Sequence, residues 1–578
     1  MGALGRAFVA AAIAFGLALT SGCSPSSEAE PGVPEAATEA APTPPSDPSP
    51  APDATDPVER ELGPAEASAD DPSDEPRPAH DRELAEICRS GESGQGLAPG
   101  SLGPEPWVND PVDTPKKRAW EESLGGKEAA RAHVRARLLG WPTRLLADRT
   151  GLPADDRAFL ERVAQDTWRG IEAFSDRENG LPVDHVHFRA EAPDGEPASV
   201  GDYAGITSIG LHLVAIVAAR ELGLLSAERA LEHVRRVLDT LGQLATFRGF
   251  YYNFYDTTSL EPTSHFVSFV DSAWLTVGLI VVRNAFPEVA DVATPLVEQM
   301  DYDFFYDPTL DLMSHGYYVD PGWRSRYHYG VLFAESRVGS LLAIGKGEAP
   351  EKHWFTMIRT LPGECDWQEL TPVARRRKLL RDVEFMGGCY EWGGERYVPS
   401  WGGSMFEALM PRLVLDEGAL APKSLGRNGE QHAKLQRLYA TEALRLPVWG
   451  MSPSAVPSPN GYLYGEHGVN VLGSWGYQPG IVTPHASALA LSVTPAEATQ
   501  NLRTLAERYD LYGEFGFYDA VDPRSGAVAY DYVSLDQSMT FIALANLLRD
   551  GCIQRRFAAD PIVQAALPVI ADEDFFEY

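Results

Sequence analysis

Seven carboxylates in this chain of 578 residues sit where polar segments meet apolar runs. Asp202 lies in VGDYAGITSIG, Asp271 in FVSFVDSAWLTVGL, Glu335 in YHYGVLFAESRVGSLLAIGKG and Glu407 in SWGGSMFEALMPRLVL. Glu514 and Asp519 share LYGEFGFYDAVDP, and Asp536 opens VSLDQSMTFIALANLL. A carboxylate beside a buried apolar run is costly unless it is paired or hydrogen-bonded. Several gathered in one cleft could cut a glycosidic bond. One carboxylic acid protonates the leaving oxygen, and a second activates water or attacks the sugar carbon. Flat aromatic faces suit sugar rings, and the intervening segments offer Trp323, Tyr327, Tyr329, Trp392, Trp401, Trp449, Tyr462, Trp475 and Tyr477.

Each residue also has a structural reading. Asp536 could cap its helix. Glu335 and Arg337 could belong to an ion pair, Glu407 could bond a loop backbone, and the aromatics could be core. Metal and nucleophile signals are weaker. His185-Val-His187 has ligand-like spacing beside Asp184 but no obvious partner set. Asp301, Asp303, Asp307 and Asp311 lack the glycine and terminal glutamate of a calcium loop. No Gly-rich phosphate loop, dinucleotide fingerprint or nucleophile elbow occurs. The expectation is therefore no metal and no cofactor.

The elements that would position these acids are helical. From about residue 155 the spacing predicts helices over 155–174, 207–222, 226–244, 271–286, 289–300, 329–345, 351–360, 404–415, 429–444, 485–493, 495–508, 535–549 and 560–570. Pro495 with Glu497 marks a start, and Gly223 and Gly345 mark stops. One helix of a pair is apolar nearly all round, as in Ile206–Ala219 and Ser272–Val282. Its partner is amphipathic, as in Arg229–Leu244. Six or seven such hairpins close into an all-α (α/α)6 toroid over residues 151–578. The linking segments 174–206, 245–270, 301–328, 361–403, 445–484 and 509–534 are long, and in a toroid they line one cleft. Residues 81–150 read as a lead-in segment packing on the toroid, with an amphipathic stretch over Glu128–Leu139.

With 49 Lys+Arg against 82 Asp+Glu, the formal charge is −33. That excludes nucleic acid as a partner and disfavours a polyanionic substrate, because both need a basic surface. A 44% hydrophobic content excludes global disorder. Residues 1–23 carry one charge, Arg6, then an apolar run ending in LALTSGC, which reads as a secretory signal rather than a membrane span. Residues 24–80 hold 14 Pro, 14 acidic and 2 basic residues, a net of −12, and read as a disordered, extended tether. Of the later cysteines, Cys88, Cys365, Cys389 and Cys552, the pair Cys365–Cys389 shares one loop region and is the favoured disulfide, with free buried thiols as the alternative.

Two resemblances add to this reading. LALTSGC resembles a bacterial lipobox, which implies cleavage before Cys23 and lipidation of its thiol. The protein would then sit in the cell envelope, anchored to a membrane only through that lipid. ESRVGSLLAIGKGEAPEKHWF (335–355), WGGSMFEALMPRLVL (401–415), IVTPHASALALSVTPAEATQNL (481–502) and LYGEFGFYDAVDP (511–523) resemble blocks of the bacterial glycoamylase-like family. That family includes endo-β-1,2-glucanases and the glycan-processing domain of cyclic β-1,2-glucan synthases. The resemblance spans roughly residues 160–570 and implies an (α/α)6 toroid. It also implies a glycoside hydrolase acting on a neutral, β-1,2-linked glucan. Carried over by motif, Glu335 looks like the general acid. Asp271 matches an acid opening an inner helix, where it would organise water or a proton relay. Glu407 matches a residue shaping the site. Asp202, Arg337, Trp401, Trp449, Tyr462, Glu514, Asp519 and Tyr329 would bind the sugar. Synthase domains carry a glutamate in a W-G-I-S-E-S block. Here the block runs Trp449-Gly450-Met451-Ser452-Pro453-Ser454, without a carboxylate. That departure implies hydrolysis by inversion or a cleft that only binds glycan. A polysaccharide lyase built on Arg326 and His328 is a further alternative.

Overall fold

The computed structural model describes residues 114–148, 151–189, 197–362, 371–458, 461–474 and 477–577. The expected signal, the tether, Cys23, Cys88, Cys365 and Trp475 lie outside the described residues. Cys389 and Cys552 are both buried.

Two helices lead in: α1 (Pro115–Leu124) and α2 (Lys127–Arg137). They are fixed by buried cations. Lys117 Nζ lies 2.7 Å from Asp202 and 2.6 Å from Asp256, and Arg137 lies 2.6 Å from Asp176. Then follow α3 (Asp156–Ala173), α4 (Ile206–Glu221), α5 (Ala227–Leu241), α6 (Phe269–Ala285), α7 (Ala290–Glu298) and α8 (Arg337–Gly345). The C-terminal part contributes α9 (Met405–Leu409), α10 (Leu425–Leu438), α11 (Pro484–Ala490), α12 (Pro495–Arg508) and α13 (Ser534–Leu548), with shorter turns after it.

The all-round apolar helices are buried, as their composition requires. Every residue of α4 from Ile206 to Ala219 is buried, as is every residue of α6 from Phe269 to Val282. Helix α5 buries Ala230, Val234, Val237, Leu238 and Leu241 on one stripe and begins where Ser226 Oγ accepts from the Arg229 amide. The buried helices pack in sequence: α4 on α6, α6 on α8, α9 on α11, α11 on α13, and α13 on α4. Arg337 of α8 bonds carbonyls of α9. Glycine lets α4 and α6 touch backbone to backbone. A Cβ on Gly210 would lie 2.3 Å from the Trp274 carbonyl, and one on Gly278 2.4 Å from the Gly210 carbonyl.

Some expectations need correction. The helix predicted from residue 329 starts at Arg337, because His328–Tyr329 is a strand paired with Met313 and Ser314 and is followed by turns. The segment 361–403, expected as loop, holds an antiparallel sheet of Ala374–Leu380, Val383–Trp392 and Glu395–Tyr397. Short ladders stiffen the other links. One of them pairs His185–Phe188 with both Pro197–Val200 and Asp531–Val533. Among the described residues no helix is long and apolar enough to cross a membrane.

Candidate active site

Glu335 lies in the turn that enters α8 and is 5% exposed. Two residues on, Arg337 is fully buried. Its guanidinium donates to both oxygens of Glu417 at 2.8 and 3.1 Å and to the carbonyls of Ala334, Glu407 and Ala408 at 2.8, 3.0 and 2.7 Å. Arg337, expected on the sugar, is therefore a tie between the Glu335 turn and α9, with no surface left for a ligand. Glu335 itself is left without a strong counter-ion. Burial, then the Glu407 charge, pushes its carboxyl up to about 8, with a smaller push from Asp271.

Asp271 is the third residue of α6. Ser268 Oγ accepts from its amide at 3.3 Å, and Thr207 Oγ1 donates to its Oδ1 at 2.6 Å. Burial raises this carboxyl as well. The Tyr329 hydroxyl, also raised by burial, senses Glu335 and then Asp271. Asp271, about sixty residues earlier in the chain, thus acts electrostatically on the same group as Glu335.

Glu407 forms a capping box with Ser404 at the start of α9. Its oxygens accept from Ser400 Oγ at 2.8 Å, from the Gly402 amide at 2.9 and 3.0 Å, and from the Ser404 amide at 3.1 Å. It shapes the loop that carries the half-buried Trp401.

A second acid group gathers Asp519, Asp536 and His485. One ligand atom from each lies within 4.8 Å of the others, and all three residues are buried. Asp519 Oδ2 accepts from the Ala455 amide at 2.6 Å. The remaining Asp519 oxygen, both Asp536 oxygens and His485 Nε2 have no hydrogen-bond partner. Burial lifts Asp519 to about 7, and burial followed by the Asp519 charge lifts Asp536 well above the usual carboxylate range. Two buried carboxyls this close cannot both ionise cheaply, so each opposes the other's charge. A divalent cation could instead take one atom from each of the three side chains. Asp536, expected as an N-cap or a catalyst, is no cap, since its carboxylate bonds no backbone amide.

Glu466 was not singled out in the sequence. It follows the strand Tyr464–Gly465 in the loop GYLYGEHG, which has no periodicity to mark it. It is half-buried and has no hydrogen-bond or ion-pair partner among the described residues. Burial, then Glu407, pushes its carboxyl up to about 8. The Tyr477 hydroxyl senses Glu407, Glu466 and Glu335, and the Tyr464 hydroxyl senses Asp536, Asp519, Asp184 and Glu466.

Other expected site residues are engaged elsewhere. Asp202 pairs with Lys117. Glu514 accepts from the Thr143 amide at 2.6 Å and its hydroxyl at 3.0 Å, tying the 514 loop to the lead-in segment. Trp449 is buried, its carbonyl bonded by Asn501. Tyr462 stacks on His185 at 3.5 Å between ring centroids. His185 bonds Asp184 at 2.9 Å, and His187 bonds Asp531 at 2.8 Å, so the two histidines have separate carboxylate partners. Of the aspartate run, Asp307 pairs with His328 at 3.2 Å and Asp311 accepts from Tyr306 at 2.6 Å. His328 holds Asp307 down to about 2.

Comparison with known proteins fits this architecture. Residues 384–561 match the glycoamylase family model, described as "Putative glucoamylase", and residues 162–309 match one described as "Protein of unknown function (DUF3131)". The chain thus carries a glycoamylase-like segment, the family its motifs resemble. It is 24% identical to the cyclic β-(1,2)-glucan synthase NdvB of Rhizobium meliloti, over 70% of this chain and 18% of that protein. It is 21% identical to an exo β-1,2-glucooligosaccharide sophorohydrolase of Parabacteroides distasonis, over 73% of this chain and 59% of that protein. The chain therefore spans under two thirds of either relative. Its fold is similar to that of an endo-β-1,2-glucanase from Chitinophaga pinensis, solved with sophorotriose and glucose. That likeness has a TM-score of 0.58 at 16% identity and covers 72% of this chain and 99% of that one.

Proposed function

We propose that this chain is a glycoside hydrolase that cuts a neutral, β-1,2-linked glucan with inversion at the anomeric carbon. The carrying observation is Glu335, a buried acid whose carboxyl burial and the Glu407 charge push up to about 8, the range a general acid needs at neutral pH. It donates its proton to the glycosidic oxygen as the C–O bond breaks, and water attacks the opposite face of the sugar. Asp271, which senses the same hollow, holds the water or relays the proton. The linkage is supported by the relatives, whose names carry β-1,2-glucan chemistry. Pro453 stands where the synthase-type motif has its glutamate, which favours hydrolysis over a covalent transfer route.

The finer architecture belongs to the same proposal. Helices α4, α6, α8, α9, α11 and α13 form the inner ring of an (α/α)6 toroid, and Trp401, Tyr329, Tyr462 and Asp519 complete the sugar-binding floor. Cys23 carries a lipid that holds the enzyme in the cell envelope, and that lipid is its membrane contact. The test is incubation of the protein with β-1,2-, β-1,3-, β-1,4- and α-1,4-glucans. Reducing ends from the β-1,2-glucan alone are expected. Their absence on every glucan, or an ultraviolet-absorbing product from a polyuronate, would overturn the proposal.

A further inference from the structure

The motif that lost its carboxylate at Pro453 is not isolated in the fold. Ser454 and Ala455 form an antiparallel ladder with Gly465 and Tyr464. The ladder runs on past Ala455, where the Val456 amide donates to the Leu463 carbonyl at 2.9 Å. In the other direction the ladder ends, with Pro453 and Glu466 the next residues beyond it on the two strands. A Cβ on Gly465 would lie 2.7 Å from Val456 Cγ2 and 2.9 Å from His467 Nε2, so the position before Glu466 suits glycine.

We infer that Glu466 is a further substrate-binding residue of this cleft, its carboxyl presented from the end of that ladder to a hydroxyl of the bound sugar. Four observations support it. The carboxyl has no partner of its own among the described residues and remains partly open to solvent. The ladder it follows is tied to the second acid group, because the Ala455 amide donates to Asp519 Oδ2 at 2.6 Å. Burial and Glu407 push the Glu466 carboxyl up to about 8, toward the form that can both donate to and accept from a neutral hydroxyl. A polyanionic substrate would gain nothing from it, which agrees with a chain of net charge −33. A group in this state is poorly suited to attack the anomeric carbon or to take a proton from water. Its contribution is recognition, not covalent chemistry.

This inference rests on the proposed hydrolysis and is separable from it. Wild type, Glu466→Gln and Glu466→Ala are compared on β-1,2-glucan at pH 7. Glu466→Gln keeps a donor and an acceptor and is expected to hold kcat and KM within about threefold. Glu466→Ala is expected to raise KM about tenfold with little change in kcat. Equal KM for Glu466→Ala and wild type would overturn the inference. So would a loss of kcat of about a thousandfold in Glu466→Gln, which would make Glu466 a nucleophile or base. A wild type that releases no sugar would instead sink the hydrolytic reading. In that event glucan binding by calorimetry still decides Glu466, a loss of affinity in Glu466→Ala alone supporting the inference and equal affinities refuting it.

Discussion

Replacing Glu417 with Gln should destabilise this protein measurably, because it breaks a fully buried ion pair. Arg337 and Glu417 are both fully buried and bonded through two N–H to O contacts. Glutamine keeps the volume but removes the charge, leaving a guanidinium in the interior with only carbonyl dipoles around it. Removing one partner of such a pair costs about 3 to 5 kcal/mol. At about 2.1 cal/mol/K per residue over roughly 450 ordered residues, the unfolding entropy is about 0.9 kcal/mol/K, so the melting temperature should fall by about 3 to 5 °C. Arg337 also holds the Ala334 and Glu407 carbonyls, so turnover should fall with it. Differential scanning calorimetry at pH 7, paired with a reducing-end assay, reads both. Substituting both partners with methionine should recover most of the stability, because no lone charge is then left buried. If Glu417→Gln melted with wild type, Arg337 would not be the tie the geometry describes.

Other expectations follow from the same coordinates. Glu335 has its pKa raised to about 8 from 4.5, so the folded state holds a proton the unfolded state has released. Its contribution to stability is complete below pH 4.5 and is lost as pH rises through about 8. Glu335→Gln should therefore melt with wild type near pH 4.5 and above it near pH 8; the opposite ordering in calorimetry would argue against a protonated Glu335. For the same reason kcat/KM should decline above about pH 8, and a rate still rising at pH 9 would contradict the assignment. Gly278→Ala forces a Cβ to within 2.4 Å of the Gly210 carbonyl and should cost about 3 kcal/mol or more, read as a lower urea midpoint.

The sequence was most informative where burial is uniform. Helices α4 and α6 were legible because no face of Ile206–Ala219 or Ser272–Val282 is polar, and such a segment has only one way to be stable in water. It was least informative where partners are distant. Nothing local in VGDYAG shows that Lys117 neutralises Asp202, and nothing in YGEFG shows that Glu514 bonds Thr143, 371 residues earlier. Arg337 looked like a ligand contact because an arginine beside a candidate acid reads the same whether its partner is sugar or a buried Glu417. The strand Ala374–Leu380 was hidden by ARRRKLL, whose charges mask the alternation that marks a half-buried strand. Glu466 carries no sequence signal, because GYLYGEHG has no helical or strand period to mark it. Asp271, Glu335 and Asp519 stand out because each adjoins an apolar segment, where an acid has to be explained, and the structure buries all three.

The most direct test is proton NMR of β-1,2-glucan during the first minutes of digestion, with wild type and Glu335→Gln side by side. Wild type should release the α-anomer first, and the glutamine variant, folded by circular dichroism, should release nothing measurable. Near-normal release by the variant, or β-anomer first from wild type, would contradict a buried Glu335 acting as the acid of an inverting cleft.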